Sequence, residues 1–285
     1  MLIRLLISLL CALSVIAQPD PREIPVPAIK TSQPKMPGVR DLPGREAMPD
    51  VMVMNDGAKV TSQRQWQKRR EEMKRILEYY AVGQMPPPPG NVKGKESKQE
   101  TVLEGKVKYR LVHLTFGPQA KLGLDVGIFT PAEGGPFPII ILQAGSPPGS
   151  TALPRQPQGP NQGRGENVLL LVGPGTAAAP RKGGPIEPAT AEAMAKRYTD
   201  VFHRGYAIAT FNVNDCAEDT TLRNADGSWA FRNTRFPAAY PKFDWGILGA
   251  WAWGVSRVAD YLETDRAIDK RRMIVTVRRA MGSLP

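Results

Sequence analysis

Residues 245–265 read Trp-Gly-Ile-Leu-Gly-Ala-Trp-Ala-Trp-Gly-Val-Ser-Arg-Val-Ala-Asp-Tyr-Leu-Glu-Thr-Asp, and residues 273–277 read Met-Ile-Val-Thr-Val. The first run predicts a helix over Asp244 to Glu263. Its Trp251, Val255, Val258 and Leu262 recur at steps of three and four, which is the apolar stripe of a helix laid on a core. Gly246, Gly249, Ala250, Ala252 and Gly254 are small enough to let its backbone approach a sheet. The second run is short, apolar and rich in β-branched residues, so it predicts a buried strand.

Working outward, the same alternation recurs. Tyr206 to Phe211 reads as a strand and Ala191 to Arg204 as a helix. Phe137 to Leu142 contains Ile139-Ile140-Ile141-Leu142, apolar on both faces as a central strand should be. Leu124 to Thr130 and Lys106 to Phe116 are further strands, the latter with Val107, Tyr109, Leu111 and His113 on one side. Helices alternating with strands imply a parallel sheet covered on both faces. Thr61 or Ser62 can cap a helix whose apolar side includes Trp66, Met73, Ile76, Leu77 and Tyr80, and which stops before Pro86-Pro87-Pro88-Pro89. The organised domain therefore runs over residues 62–277. Residues 18–61 form a Pro-rich arm. Gln143 to Thr190 is a long Gly/Pro/Ala-rich connection interrupted by Val168 to Val172.

Pro and Gly make up about 19% of the 285 residues, against roughly 12% in average proteins, which excludes a coiled coil or a plain bundle. With 41% apolar and 23% charged residues, global disorder is excluded as well. Met1-Leu2-Ile3-Arg4 followed by an uncharged run to Ala17 reads as a secretory signal peptide (residues 1–17), so a secreted or periplasmic location is expected. No run reaches the roughly 20 apolar residues of a spanning helix, and no membrane partner is expected. Cleavage there would leave Cys216 as the one cysteine, and with only His113 and His203 in the chain a Cys/His zinc site has too few ligands.

Several local signals compete for the chemistry. The net charge of +11 and the basic residues Arg64, Lys68, Arg69, Arg70, Lys74 and Arg75 would suit a polyanion. Glu71, Glu72 and Glu78 intersperse them, so a solvated helix face is expected and nucleic acid is not. Gly173-Pro174-Gly175-Thr176-Ala177-Ala178 spells the glycine pattern of a dinucleotide fold, yet Pro180 and Gly183-Gly184-Pro185 break the helix that pattern needs. No cofactor is expected. Ser146 in Gly145-Ser146-Pro147-Pro148-Gly149 lies just past a buried strand, but two prolines replace the helix of a nucleophile elbow. Asp215, Glu218 and Asp219 could ligate a hard cation, although solvated turn carboxylates explain them as well.

The segment Trp245 to Asp265, with Ile268-Asp269, Arg272 and the strand to Val277, resembles the glucuronoyl esterases, carbohydrate esterases that act on glucuronoxylan. The resemblance extends through Arg204-Gly205-Tyr206-Ala207-Ile208-Ala209-Thr210 and through Trp66, Arg69-Arg70 and Gly83-Gln84-Met85-Pro86. It departs at Asn214-Asp215-Cys216-Ala217-Glu218-Asp219, where relatives tend to show Gly-Asp-Ile and then Pro-Asp. It implies an α/β-hydrolase three-layer sandwich and a serine esterase that cleaves 4-O-methyl-glucuronate esters joining xylan to lignin. In relatives a Ser on a Gly-x-Ser-Arg-x-Gly-Lys elbow attacks the carbonyl, and an acid and a His follow later in the chain.

Here the strand to Val277 arrives in order, but Arg278 to Pro285 contain no such elbow. The expectation is an incomplete sheet that ends at the nucleophile strand, with no catalytic Ser, acid or His and no activity. One base out of frame, the codons for Ala280-Met281-Gly282-Ser283 permit Arg-Tyr-Gly-Lys with the Gly forced, so residues 278–285 are expected to be an aberrant, frame-shifted tail. Gln143, Ala144 and Gly145, at the tip of a strand facing the place due to the elbow, are the candidates for a substrate-pocket wall. Two other readings stand beside this one: a non-catalytic binding module for acidic polysaccharide, and a dinucleotide-binding oxidoreductase.

Overall fold

The computed structural model describes residues 36–44, 47–151, 190–220, 222–225 and 227–276. The expected signal peptide, the strand at Val168 to Val172, the glycine pattern at Gly173 to Ala178 and the tail 278–285 lie outside the described residues. Six strands form one sheet: β1 (Lys93–Val102), β2 (Val107–Phe116), β3 (Leu122–Pro131), β4 (Phe137–Ala144), β5 (Ala207–Asn212) and β6 (Ile268–Thr276). Their order is β1-β2-β3-β5-β4-β6. The helices are α1 (Gln63–Leu77), α2 (Ala191–Lys196), α3 (Thr199–His203), α4 (Arg235–Ala239) and α5 (Ile247–Leu262).

The sheet is mixed, which corrects the all-parallel expectation. β5, β4 and β6 are parallel neighbours, whereas β2 runs antiparallel to both β1 and β3, and β3 runs antiparallel to β5. The connections after β1 and β2 are too short for the crossover that a parallel pair requires. β1 itself was not legible. Its Lys-Gly-Lys-Glu-Ser-Lys-Gln-Glu-Thr-Val sequence is exposed along almost its whole length, because an edge strand dressed in charge resists pairing with other chains and shows no apolar alternation.

Two cores sandwich the sheet. On one face Val112, Leu114, Phe116, Val126, Ile128, Ile139, Ile141, Ala209 and Phe211 pack with Trp245 and with Trp251, Val255, Val258 and Leu262 of α5. On the other, Val107, Tyr109, Leu111, Phe129 and Ile208 pack with Ala191, Met194 and Ala195 of α2 and Phe202 of α3. The expected stripe of α5 is buried, and burial extends further round the helix, to Trp253 and Arg257. Arg257 is accommodated by Asp260, 2.7 Å from its Nε, and by the Trp253 ring beneath its guanidinium. Ala252 instead faces solvent. Gly254 makes its close approach to a loop: a Cβ there would collide with the Cys216 Sγ. Trp251 Nε1 donates to the Ala217 carbonyl and Trp253 Nε1 to that of Pro86, so the wide aromatic face of α5 carries no unmet indole N–H at these two positions.

Ser62 caps α1, its hydroxyl accepting from the Gln65 N–H. The expected apolar side of α1 is only half covered, since Leu77 is exposed and the one buried residue of the helix is Arg69. Arg69 holds the described part of the arm through Val51 O and Asn55 Oδ1, and it pairs with Glu72. The single helix expected over Ala191 to Arg204 is two short ones, interrupted where Tyr198 leaves helical geometry. β4 runs two residues beyond its expected end, so Gln143 and Ala144 belong to the strand.

Candidate functional site

In an open α/β sheet, ligands bind beyond the carboxyl ends of the parallel strands. Here that edge is formed by Asn212 of β5, Ala144 of β4 and Thr276 of β6. Gln143 stands opposite Phe211, Ala144 opposite Asn212, and Leu142 opposite Thr276. β4 is thus the middle strand of the parallel trio. Gln143 and Ala144 are half-buried and Gly145 is exposed. All three lie together at this edge.

The loop after β4 is fixed from both cores. The buried Tyr109 hydroxyl donates to the Pro148 carbonyl at 2.7 Å, and burial raises its pKa well above that of a free phenol. The Asn212 side-chain amide donates to the Ser146 Oγ at 3.0 Å. Ser150 turns back onto the Pro147 carbonyl through its N–H and its hydroxyl. Ser146 therefore sits in a tight, proline-stiffened turn with its oxygen engaged by an amide, the wrong setting for a nucleophile, which needs a base within reach of its proton.

Beside this edge, on the side of β2 and β3, lies a cavity of about 940 Å³. Gly149 and Thr151 from the β4 loop, Asp215 after β5, and Lys121, His113 and Asp125 line it. His113 and Asp125 are register partners across the β2–β3 hairpin, and their Nδ1 and Oδ1 lie 2.7 Å apart. A carboxylate at this place fixes the orientation of the half-exposed imidazole. Ser97, in the same cavity, is not hydrogen-bonded to this pair and donates its hydroxyl proton to the Leu111 carbonyl. Gln143, Ala144 and Gly145 are not among the residues lining this cavity. The His113–Asp125 pairing was missed in the sequence, although the hairpin register would have supplied it. His203, at the end of α3, is exposed.

The carboxylates of Asp215, Glu218 and Asp219 do not converge. Asp215 lines the cavity just described. Glu218 Oε1 pairs with Arg235 Nη2 at 3.1 Å, and the Asp219 backbone N–H donates to Asn214 Oδ1 in an exposed turn. Among the described residues no group of three His, Cys, Asp or Glu side chains could hold a metal ion. Cys216 is fully buried, and burial pushes its thiol pKa far up, with Asp215 adding to the rise.

With this geometry in place, likeness to known proteins bears on the esterase reading. The family model described as glucuronyl esterase of fungi matches residues 179–282. The chain is 27% identical over 247 residues to a carbohydrate esterase from an unidentified prokaryote. Both matches show a chain similar to the glucuronoyl esterases. A 4-O-methyl-glucuronoyl methylesterase from Podospora anserina is 24% identical over 246 residues, which is 85% of this chain and 38% of that relative. The prokaryotic esterase is matched over 82% of this chain and 53% of its own length, so the chain spans about half the length, or less, of these two curated relatives. Among solved structures, a glucuronoyl esterase from Solibacter usitatus superposes with a TM-score of 0.58 at 24% identity, over 84% of this chain and 59% of that one. A promiscuous esterase of carbohydrate esterase family 15 from a marine bacterial metagenome gives a TM-score of 0.56 at 25% identity, over 81% and 57%. The fold is accordingly that of the glucuronoyl esterases, an α/β-hydrolase sheet.

Proposed function

We propose that this chain is the N-terminal part of an exported serine esterase acting on 4-O-methyl-glucuronate esters that join xylan to lignin, and that the 285 residues alone do not turn over substrate. The observation that carries the reading is the parallel trio β5-β4-β6 with α5 between β5 and β6 in the chain; β5, α5 and β6 fall within the stretch 179–282 matched by the glucuronyl esterase model, and β4 precedes it. On this reading β6 is the strand that leads to the nucleophile. Gln143, Ala144 and Gly145, at the tip of the neighbouring strand, form one wall of the uronate pocket. The loop held by Tyr109 and Asn212 supplies backbone N–H groups of the kind that stabilise an oxyanion. The substrate is a polysaccharide ester.

The lack of turnover follows from chemistry. Acyl transfer of this type needs a nucleophile, a base within hydrogen-bond reach and a carboxylate orienting that base. Among the described residues His113 has its carboxylate but no nucleophile. The missing groups are proposed to be encoded in the neighbouring frame beyond Thr276. Sequencing the gene across the Thr276 to Arg279 codons tests this: the neighbouring frame should give Ser-Arg-x-Gly-Lys and a later His. A frame with neither overturns the proposal.

A further inference from the structure

A second cavity, of about 420 Å³, opens between the wide helical turn Glu78–Val82, the N-terminus of α5 and residues 219, 220 and 229–232. Tyr79, Tyr80, Trp229 and Phe231 line it, with Val82, Ile247 and Leu248. The aromatic walls are held in place. The Tyr79 and Tyr80 rings meet edge-on with centroids 4.7 Å apart, and their hydroxyls donate to the Met36 and Pro37 carbonyls of the arm. The Arg223 guanidinium lies 3.6 Å from the centre of the Trp229 ring. At the rim, Leu248 is 53% exposed on the first turn of α5, an unusual position for a large apolar side chain in a helix otherwise buried round most of its girth.

The polar part of the cleft gathers on Asp244. Arg232 Nη2 donates to the Asp244 carbonyl and the Gln84 N–H to its Oδ1. Around this residue three buried polar atoms have no hydrogen-bond partner: Arg232 Nε, Gln84 Oε1 and Trp245 Nε1. Of the three, only Arg232 lines the cleft, and its unmet N–H calls for a ligand group that accepts. Asp219 and Asp244 stand with Arg232 in the lining and Arg223 lies on Trp229, so carboxylates and guanidiniums balance and the cleft favours a neutral ligand. A purely apolar ligand would leave the polar floor unpaired at a cost in free energy.

We propose that this cleft binds a neutral sugar ring of a polysaccharide. A pyranose offers apolar C–H faces to Tyr79, Tyr80 and Trp229, and hydroxyl groups, each a donor and an acceptor, to Arg232, Thr220 and the carboxylates. The volume lies in the range of small-ligand sites. The site goes beyond the esterase reading and stands on the cleft alone, since its ligand carries no ester.

Calorimetric titration of the 285-residue chain with xylohexaose tests it, with glucuronate and benzoate as the anionic and aromatic controls. The expected result is saturable binding of the neutral oligosaccharide, weakened about tenfold by Trp229→Ala, the loss of one aromatic contact. Leu248→Glu, which changes only the exposed rim, should weaken it comparably, and Ile274→Lys on the far sheet edge should leave it unchanged. Retained affinity in both cleft variants overturns the proposal. So does tighter binding of glucuronate or benzoate than of the sugar, or no saturable heat up to about 10 mM oligosaccharide. Because no hydrolysis is read, failure here leaves the esterase reading standing, and failure of the esterase reading leaves this site standing.

Discussion

Gly83 joins the helical N-terminal region to the start of α5, and its replacement by alanine has a cost that can be built from two parts. Its backbone sits at φ 71°, ψ 172°, a region open essentially to glycine, and forcing another residue there costs about 1–3 kcal/mol. A Cβ at this position would also lie 2.5 Å from the Asp244 carbonyl oxygen and 2.6 Å from the Trp245 Cα. Both are backbone atoms, so no side chain can swing away, and overpacking adds about 1–3 kcal/mol. The neighbouring hydrogen bonds, Gly246 N–H to Val82 O at 2.7 Å and Gln84 N–H to Asp244 Oδ1 at 3.0 Å, would have to stretch to make room. Gly83→Ala is therefore expected to lose about 2–6 kcal/mol, a large share of the roughly 5–15 kcal/mol that holds an ordinary domain. Gly205 is the control. It has φ 75° after α3 but nothing within 4 Å of a Cβ, so Gly205→Ala should lose only the backbone part, about 1–3 kcal/mol. Urea unfolding followed by circular dichroism, with m compared between variants, reads both values. Equal losses in the two variants would refute the claim that close packing of Gly83 on Asp244 and Trp245 ties these segments together.

Other consequences are equally direct. Tyr109→Phe leaves the Pro148 carbonyl without its buried donor and should cost about 1–3 kcal/mol in the same urea experiment; a loss below about 0.5 kcal/mol would mean that the loop is anchored elsewhere. Cys216, buried with its pKa raised, should resist a thiol reagent at pH 8 until urea unfolds the chain, and rapid native-state labelling would contradict its burial. Because its folded pKa is raised, stability should be intact below the unfolded thiol value of about 8.5 and fall as pH rises through it, a slope that Cys216→Ala should flatten. In β6, Ile274 and Val275 are 45% and 52% exposed on a strand that, among the described residues, pairs on one side only. Ile274→Lys should reduce aggregation measured by light scattering, and unchanged scattering would show that this edge is not the sticky one.

The sequence made the elements with strong periodicity legible. The stripe of Trp251, Val255, Val258 and Leu262 located α5, and the doubly apolar Ile139 to Leu142 located the central strand, because both signals are set by burial against a core. β1 was invisible for the complementary reason: an edge strand is selected for charge and solvent exposure, and its existence depends on β2 offering free backbone groups. Antiparallel pairing of β2 and β3 could have been inferred from the short Gly117–Lys121 connection. At the site, the placement of Gln143 and Ala144 at the carboxyl edge followed from strand order, whereas the anchoring of their loop by Tyr109 and Asn212 joins residues far apart in the chain and leaves no local trace. The aromatic cleft is of the same kind. Tyr79, Trp229 and Leu248 come from three separate segments, and only the tertiary fold brings them to one cavity.

The most direct test of the account is hydrolysis of a methyl ester of 4-O-methyl-glucuronate by the purified 285-residue chain, compared with a heat-treated sample of the same preparation. The proposed function predicts that release of methanol stays at the heat-treated rate. Saturable turnover that is lost on heating would contradict it.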